Sequence, residues 1–111
     1  MANIPNPRDL VFGSDGNLYV TVPGWSAVML YNGTTGAFIQ QFATAGGLNY
    51  AFGLTFGTGT DTNLYVANGS GVTGHSAGSS ILRYLANTGA FDRVFASGGG
   101  VDGPTFIVFG A

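Results

Sequence analysis

The chain has 111 residues, enough for one small domain, and only 7% of them are charged, for a net charge of −2. Three Arg, no Lys and no basic cluster leave nothing to neutralise phosphates, which argues against nucleic acid; zero Cys excludes a disulfide framework and thiolate metal sites. Twenty Gly would suit a disordered chain, but 45% apolar and 14% aromatic residues demand a packed core.

Taken in order, residues 3–7 form a polar, Pro-rich lead-in, and residues 1–5 lack the features of a signal peptide. Residues 9–13 read as a strand, Ser14-Asp15-Gly16-Asn17 as a tight turn, and residues 18–22 as the returning strand. Pro23-Gly24-Trp25-Ser26 turns the chain into a third strand, residues 27–31. Asn32-Gly33-Thr34-Thr35-Gly36 turns it into a fourth, residues 37–42. The same plan then recurs at residues 52–57, 63–67, 80–84 and 90–96, and residues 105–109 match the first strand once more. No apolar run is long enough to span a membrane as a helix.

The recurrence is literal in places. Residues 35–57 and 88–110 align without a gap and share Thr-Gly-Ala-Phe, a later Phe-Ala, a Gly-Gly and a closing Phe-Gly. Phe12 to Phe56 is 44 residues and Phe56 to Phe109 is 53; the extra nine lie in residues 57–62 and 68–79. Ile4 falls where Leu48 and Val101 fall, so the chain begins inside an inter-unit linker. Four antiparallel strands in a repeat of roughly forty residues describe the blade of a β-propeller. The expected fold is therefore all-β, with two four-stranded antiparallel blades plus an extra inner strand and a ring completed by oligomerisation. Residues 1–6 are linker, 7–50 blade 1, 51–103 blade 2 and 104–111 the first strand of a third blade. Apolar residues on both faces of the first and second strands suit inner strands sandwiched between neighbours. The fourth strands admit polar residues, as an outer edge should.

Phe12-Gly13-Ser14-Asp15-Gly16-Asn17-Leu18-Tyr19-Val20, Ile81-Leu82-Arg83-Tyr84 and Val94-Phe95-Ala96-Ser97-Gly98-Gly99-Gly100 resemble the blades of bacterial NHL-like propellers. These Gly-rich repeats of secreted proteins are similar to virginiamycin B lyase and gluconolactonase-type propellers. The resemblance implies the propeller fold and an extracellular or periplasmic location. Many such blades carry an Asp after the second strand and an Asn-Arg pair before the third; here Val22 and Ser26-Ala27, then Asn68 and Ser79-Ser80, stand in those places. The enzymes of the group need acidic metal ligands or several catalytic His and Glu. A chain with no Glu and one His inherits no catalytic residue.

Up-and-down strands place the second-to-third-strand loops and the inter-blade linkers on one face of a ring, where propellers carry functional residues. That face gathers the candidate binding residues Trp25, Asn49, Tyr50, Asn68, His75 and Asp102. Trp25 suits stacking on a sugar or aromatic ligand, capping its own core, or a subunit contact. His75 has the chemistry of a base or metal ligand, but no second His or Glu accompanies it in a Gly/Ser loop. Asn49 and Asp102 occupy equivalent linker positions, at a channel mouth or capping the linker backbone. Asp15 and Asp61 are turn residues on the other face, and Asn32-Gly33-Thr34 and Asn68-Gly69-Ser70 match both a glycosylation triplet and a turn.

The expectation is a non-enzymatic, self-assembling module presenting a ligand- or protein-binding face, without cofactor or metal. Its partners are itself, as a homo-oligomer with a trimer favoured, and a carbohydrate or protein ligand. Two alternatives remain: a fragment of a secreted lyase- or lactonase-like enzyme, and a structural or engineered fragment with no ligand. In an oligomer, residues 104–111 would act as a clasp that completes the next subunit's first blade and displaces its N-terminal copy; otherwise they hang free, or the chain is a piece of a longer propeller.

Overall fold

Short runs of aromatic and β-branched residues between Gly, Asn and Asp clusters have one good local solution, the hairpin. The computed structural model, which describes residues 6–44, 48, 51–68 and 80–96, adopts it throughout. The strands are β1 (Asp9–Phe12), β2 (Leu18–Val22), β3 (Ala27–Tyr31), β4 (Phe38–Ala43), β5 (Ala51–Phe56), β6 (Leu64–Asn68), β7 (Ser80–Tyr84) and β8 (Phe91–Ala96). All eight lie within one residue of the expected bounds; the segment at 105–109 lies outside the described residues. No α-helix occurs among the described residues, and a single 3-10 turn, Pro23–Trp25, joins β2 to β3.

Two four-stranded antiparallel sheets result, in the orders β1-β2-β3-β4 (sheet 1) and β5-β6-β7-β8 (sheet 2). The shared Thr-Gly-Ala-Phe has a physical cause in the β3–β4 and β7–β8 turns. Gly36 and Gly89 both sit at φ 78°, a region costly for residues with a Cβ, and both donate N–H to the carbonyl four residues back, Asn32 and Leu85, at 2.8 Å. Thr35 and Thr88 each accept the N–H two residues on, at 3.2 Å.

The two sheets share one core. Tyr19, Val28, Leu30, Phe42 and Ala43 of sheet 1 meet Leu54, Leu64, Val66, Leu82 and Tyr84 of sheet 2, with Val11, Phe56 and Phe91 at its margin. Each large aliphatic side chain buried there contributes about 1.5–3 kcal/mol. Tyr19 is held edge-on between Phe42 of its own sheet and Phe56 of the other, with both centroids 5.0 Å away. The far face of sheet 1 carries a second cluster, Val20, Val22, Ala27, Met29 and Tyr31.

Both faces of β2 and β6 are buried, as expected of sandwiched strands, and β4 and β8 form edges with exposed residues. β1 departs from the expectation. Leu10 and Phe12 are 57% and 58% exposed. Antiparallel pairing puts them on the face of Val20 and Leu18, which sheet 2 does not cover.

Candidate functional site

The meander sends the β2–β3 turn and the β4–β5 connection to one end of the sheets. Of the residues expected there, the structure describes Trp25 and Asn68; Asn49, Tyr50, His75 and Asp102 lie outside the described residues. Trp25 closes the 3-10 turn and is 39% exposed. The turn ends on Ser26 in the left-handed region, φ 50°, with its N–H donated to the Pro23 carbonyl at 3.0 Å. This projects the indole from a fixed backbone, which suits contact with a planar or apolar ligand. Asn68 is placed differently. It is 3% exposed, directly opposite Ser80 in the ladder, and its amide donates to Ser80 Oγ at 3.5 Å. Val22 and Ala27 are the apolar counterparts in sheet 1, so the Asn68–Ser80 pair is a polar replacement at the base of residues 69–79.

At the opposite end lies an arrangement that reading the turns as mere turns missed. Asp15 Oδ1 accepts the Asn17 N–H at 3.0 Å, and Oδ2 accepts the Tyr19 hydroxyl at 2.9 Å. Asp61 repeats this with the Asn63 N–H at 3.1 Å and the Tyr65 hydroxyl. Asn17 and Asn63 then accept the backbone N–H of Gly33 and Ala86 at 3.2 and 3.1 Å, tying one turn to the next. The legible signal was Asp-x-Asn-Leu-Tyr, present at residues 15–19 and 61–65. Burial opposes ionisation of Asp15, but hydrogen bonds from Asn17 and Tyr19 outweigh it and lower its pKa. The Tyr65 hydroxyl, with Asn63 and Arg83, lowers that of Asp61 against the effect of burial.

Sheet 2 adds charge to this plan. Arg83 stands where sheet 1 has Leu30, and pairs with Asp92 at 2.6 Å and Asp61 at 3.5 Å while its Nε donates to the Tyr65 hydroxyl at 3.0 Å. Arg93 joins Asp92 at 3.0 Å.

No family model, curated protein or solved structure matches the chain.

Among the described residues no group of three or more His, Cys, Asp or Glu is placed to hold a metal ion, and no helix is long and apolar enough to cross a membrane. Between the sheets, at the Asp15 end, an open groove of about 310 Å³ sets Asp15, Gln40, Thr62 and Asn87 around a floor of Phe42 and Phe56. The Asp15 carboxylate in this groove is engaged in turn and tyrosine hydrogen bonds.

The seam between the sheets is specific as well as apolar. The Asp9 carboxylate accepts the Leu54 N–H at 3.2 Å. The buried Thr21 hydroxyl accepts the Asp9 N–H at 3.1 Å and donates to the Phe52 carbonyl. The Arg8 guanidinium lies 5.3 Å from the Phe52 ring centroid. Gly89 is the closest fit: a Cβ there would stand 2.0 Å from the Phe42 carbonyl oxygen, so sheet 2's turn abuts sheet 1's backbone.

Proposed function

We propose that the chain is a non-enzymatic β-propeller module of two blades that self-associates to complete a ring. The ring offers its Trp25 end to a ligand or protein partner. One observation carries this reading: the two sheets stack front to back. The residues of sheet 1 in the shared core, such as Tyr19, Leu30 and Phe42, have as repeat counterparts Tyr65, Arg83 and Phe95, all on the far side of sheet 2. The residues of sheet 2 in that core, such as Leu54, Phe56 and Leu82, have Leu10, Phe12 and Met29 as counterparts, all on the far side of sheet 1. Sheet 2's front thus fits sheet 1's back, and the same fit between chains would extend the stack.

A head-to-tail contact either closes into a ring or runs on as a filament. Propellers close with about four to eight blades, so two per chain allow dimers, trimers or tetramers. Three chains giving six blades is the preferred closure, by resemblance to six-bladed relatives. Negative-stain electron microscopy tests this: discs with six-fold features are expected, and rods or isolated wedges would contradict it. For the binding end, a ligand found on a glycan array should bind Trp25→Ala more weakly by roughly 1–3 kcal/mol, the scale of burying a large side chain. Equal affinity would remove Trp25 from the site.

A further inference from the structure

We propose that Leu10, Phe12 and Phe38, on the open face of sheet 1, form the docking surface for the Phe95-bearing face of sheet 2 in a second copy of this chain. The proposal rests on the front-to-back reading and assigns it residues. These three side chains are 57%, 58% and 48% exposed, on one face: Leu10 opposes Val20, Phe12 opposes Leu18 and Phe38 opposes Tyr31. A groove of about 330 Å³ lined by Pro7, Arg8, Asp9, Leu10 and Val20 runs beside Leu10. Large apolar side chains gathered on one sheet face mark an interaction surface.

The occupant follows from the chain's own seam. Leu54, Phe56 and Phe91 are the repeat counterparts of Leu10, Phe12 and Phe38. Leu54 is 4% exposed and the two Phe are partly buried, all three packed in the inter-sheet core. What covers them is the face bearing Phe42, 8% exposed. The counterpart of Phe42 in sheet 2 is Phe95, 49% exposed, and it meets Tyr65 edge-on at 4.8 Å as Phe42 meets Tyr19 at 5.0 Å. One side of the chain therefore presents the knob and the other the matching surface. Arg83 would enter the contact already paired by Asp92 and Asp61, so a paired ion and not a bare cation leaves water, at a desolvation cost set against the apolar gain.

The chain has no cysteine, so single thiols report contacts cleanly. Phe12→Cys and Phe95→Cys chains, both altered at exposed positions, are mixed at high micromolar concentration and treated with a short bismaleimide. A covalent dimer is expected from the mixture and from neither variant alone, since equivalent positions lie at different junctions of a head-to-tail ring. Dimers of Phe12→Cys alone would mean a two-fold contact and overturn the proposal. No cross-link in a mixture that still sediments as an oligomer would overturn this surface while leaving ring assembly standing; no cross-link in a monomeric mixture, where the unaltered chain is monomeric at the same concentration, would overturn both. A cross-link seen only after residues 104–111 are deleted would show that the chain's own terminus is the occupant. Phe12→Asp, folded by circular dichroism, should associate about 10- to 100-fold more weakly, the loss of one buried aromatic; unchanged association would also refute the surface.

Discussion

Leu10 and Leu54 hold the same place in two copies of one unit, as do Phe12 and Phe56, and Phe38 and Phe91. The second of each pair is packed in the core, and the first stands in solvent, with Leu10 57% and Leu54 4% exposed. The β5–β6 pairing has a register shift between Ala51 and Leu54 that β1–β2 lacks, but Leu10 and Leu54 face corresponding residues, Val20 and Val66. Both strands are paired with their neighbour in the same antiparallel sense, β1 with β2 and β5 with β6. What differs is the presence of a preceding sheet. In the proposed ring, the exposed Leu10 is the seat of a neighbouring copy's sheet, and the seam at Leu54 gives that neighbour's expected shape.

The comparison can be broken most severely at the leucines. Leu54→Ala should destabilise the chain by about 2–4 kcal/mol, the transfer and cavity cost of a buried leucine. Leu10→Ala at low micromolar concentration should cost only about 0.5 kcal/mol or less, as at other exposed sites. Denaturant unfolding followed by the fluorescence of the single Trp25 measures both. If the two substitutions cost the same in dilute solution, the sheets are not packed as described.

The turn glycines give the next largest contrast. Gly36→Ala meets only backbone strain, because nothing lies within 4 Å of the added Cβ, and should cost about 1–2 kcal/mol. Gly89→Ala has the same φ but drives a methyl into the Phe42 carbonyl, so it should cost clearly more and loosen the seam. Equal midpoints for the two variants would contradict the close approach. Thr21→Val removes the hydroxyl shared by Asp9 and Phe52 and should cost about 1–3 kcal/mol, the penalty for stranding buried polar groups. An unchanged midpoint would leave the seam purely apolar.

The smallest effect separates the sheets by charge. Hydrogen bonds from Arg93 and Arg83 lower the pKa of Asp92, and the Tyr65 hydroxyl is the leading cause at Asp61. Carboxylates with a lowered folded pKa stabilise the fold above their unfolded value, near 4, and lose that contribution as pH falls through the folded value. Sheet 1 has Ile39 and Leu30 where sheet 2 has Asp92 and Arg83. The double variant Asp92→Ile, Arg83→Leu should therefore unfold with a shallower loss of stability below pH 4. A profile parallel to the parent chain's would show that the network does not couple to folding.

The strands, their order in each unit and the turns were legible, because Gly, Asn and Asp at fixed offsets and short β-rich runs are local signals. Asp15 and Asp61 were legible as turn residues. Their tyrosine partners were not, although Tyr19 and Tyr65 each follow four residues on, because a hydrogen bond between a turn and the strand after it depends on which face the ring takes. The Arg83 network needs the β6–β7–β8 register, set by bulges that no single residue announces. Asn68 resisted a sequence reading for a related reason: an Asn beside a Gly-rich loop looks like an exposed ligand contact, and only the ladder shows Ser80 opposite it. The unequal fate of Leu10 and Leu54 was the least accessible, since the two residues are identical and only tertiary placement distinguishes them.

In the proposed assembly each unit's front fits the next unit's back, with Leu10, Phe12 and Phe38 on one joining face and Phe95 on the other. Native mass spectrometry of the full chain at tens of micromolar tests it most directly. One closed species of three chains, without an extended ladder of larger masses, is the predicted result. A chain that remains monomeric at that concentration would contradict it.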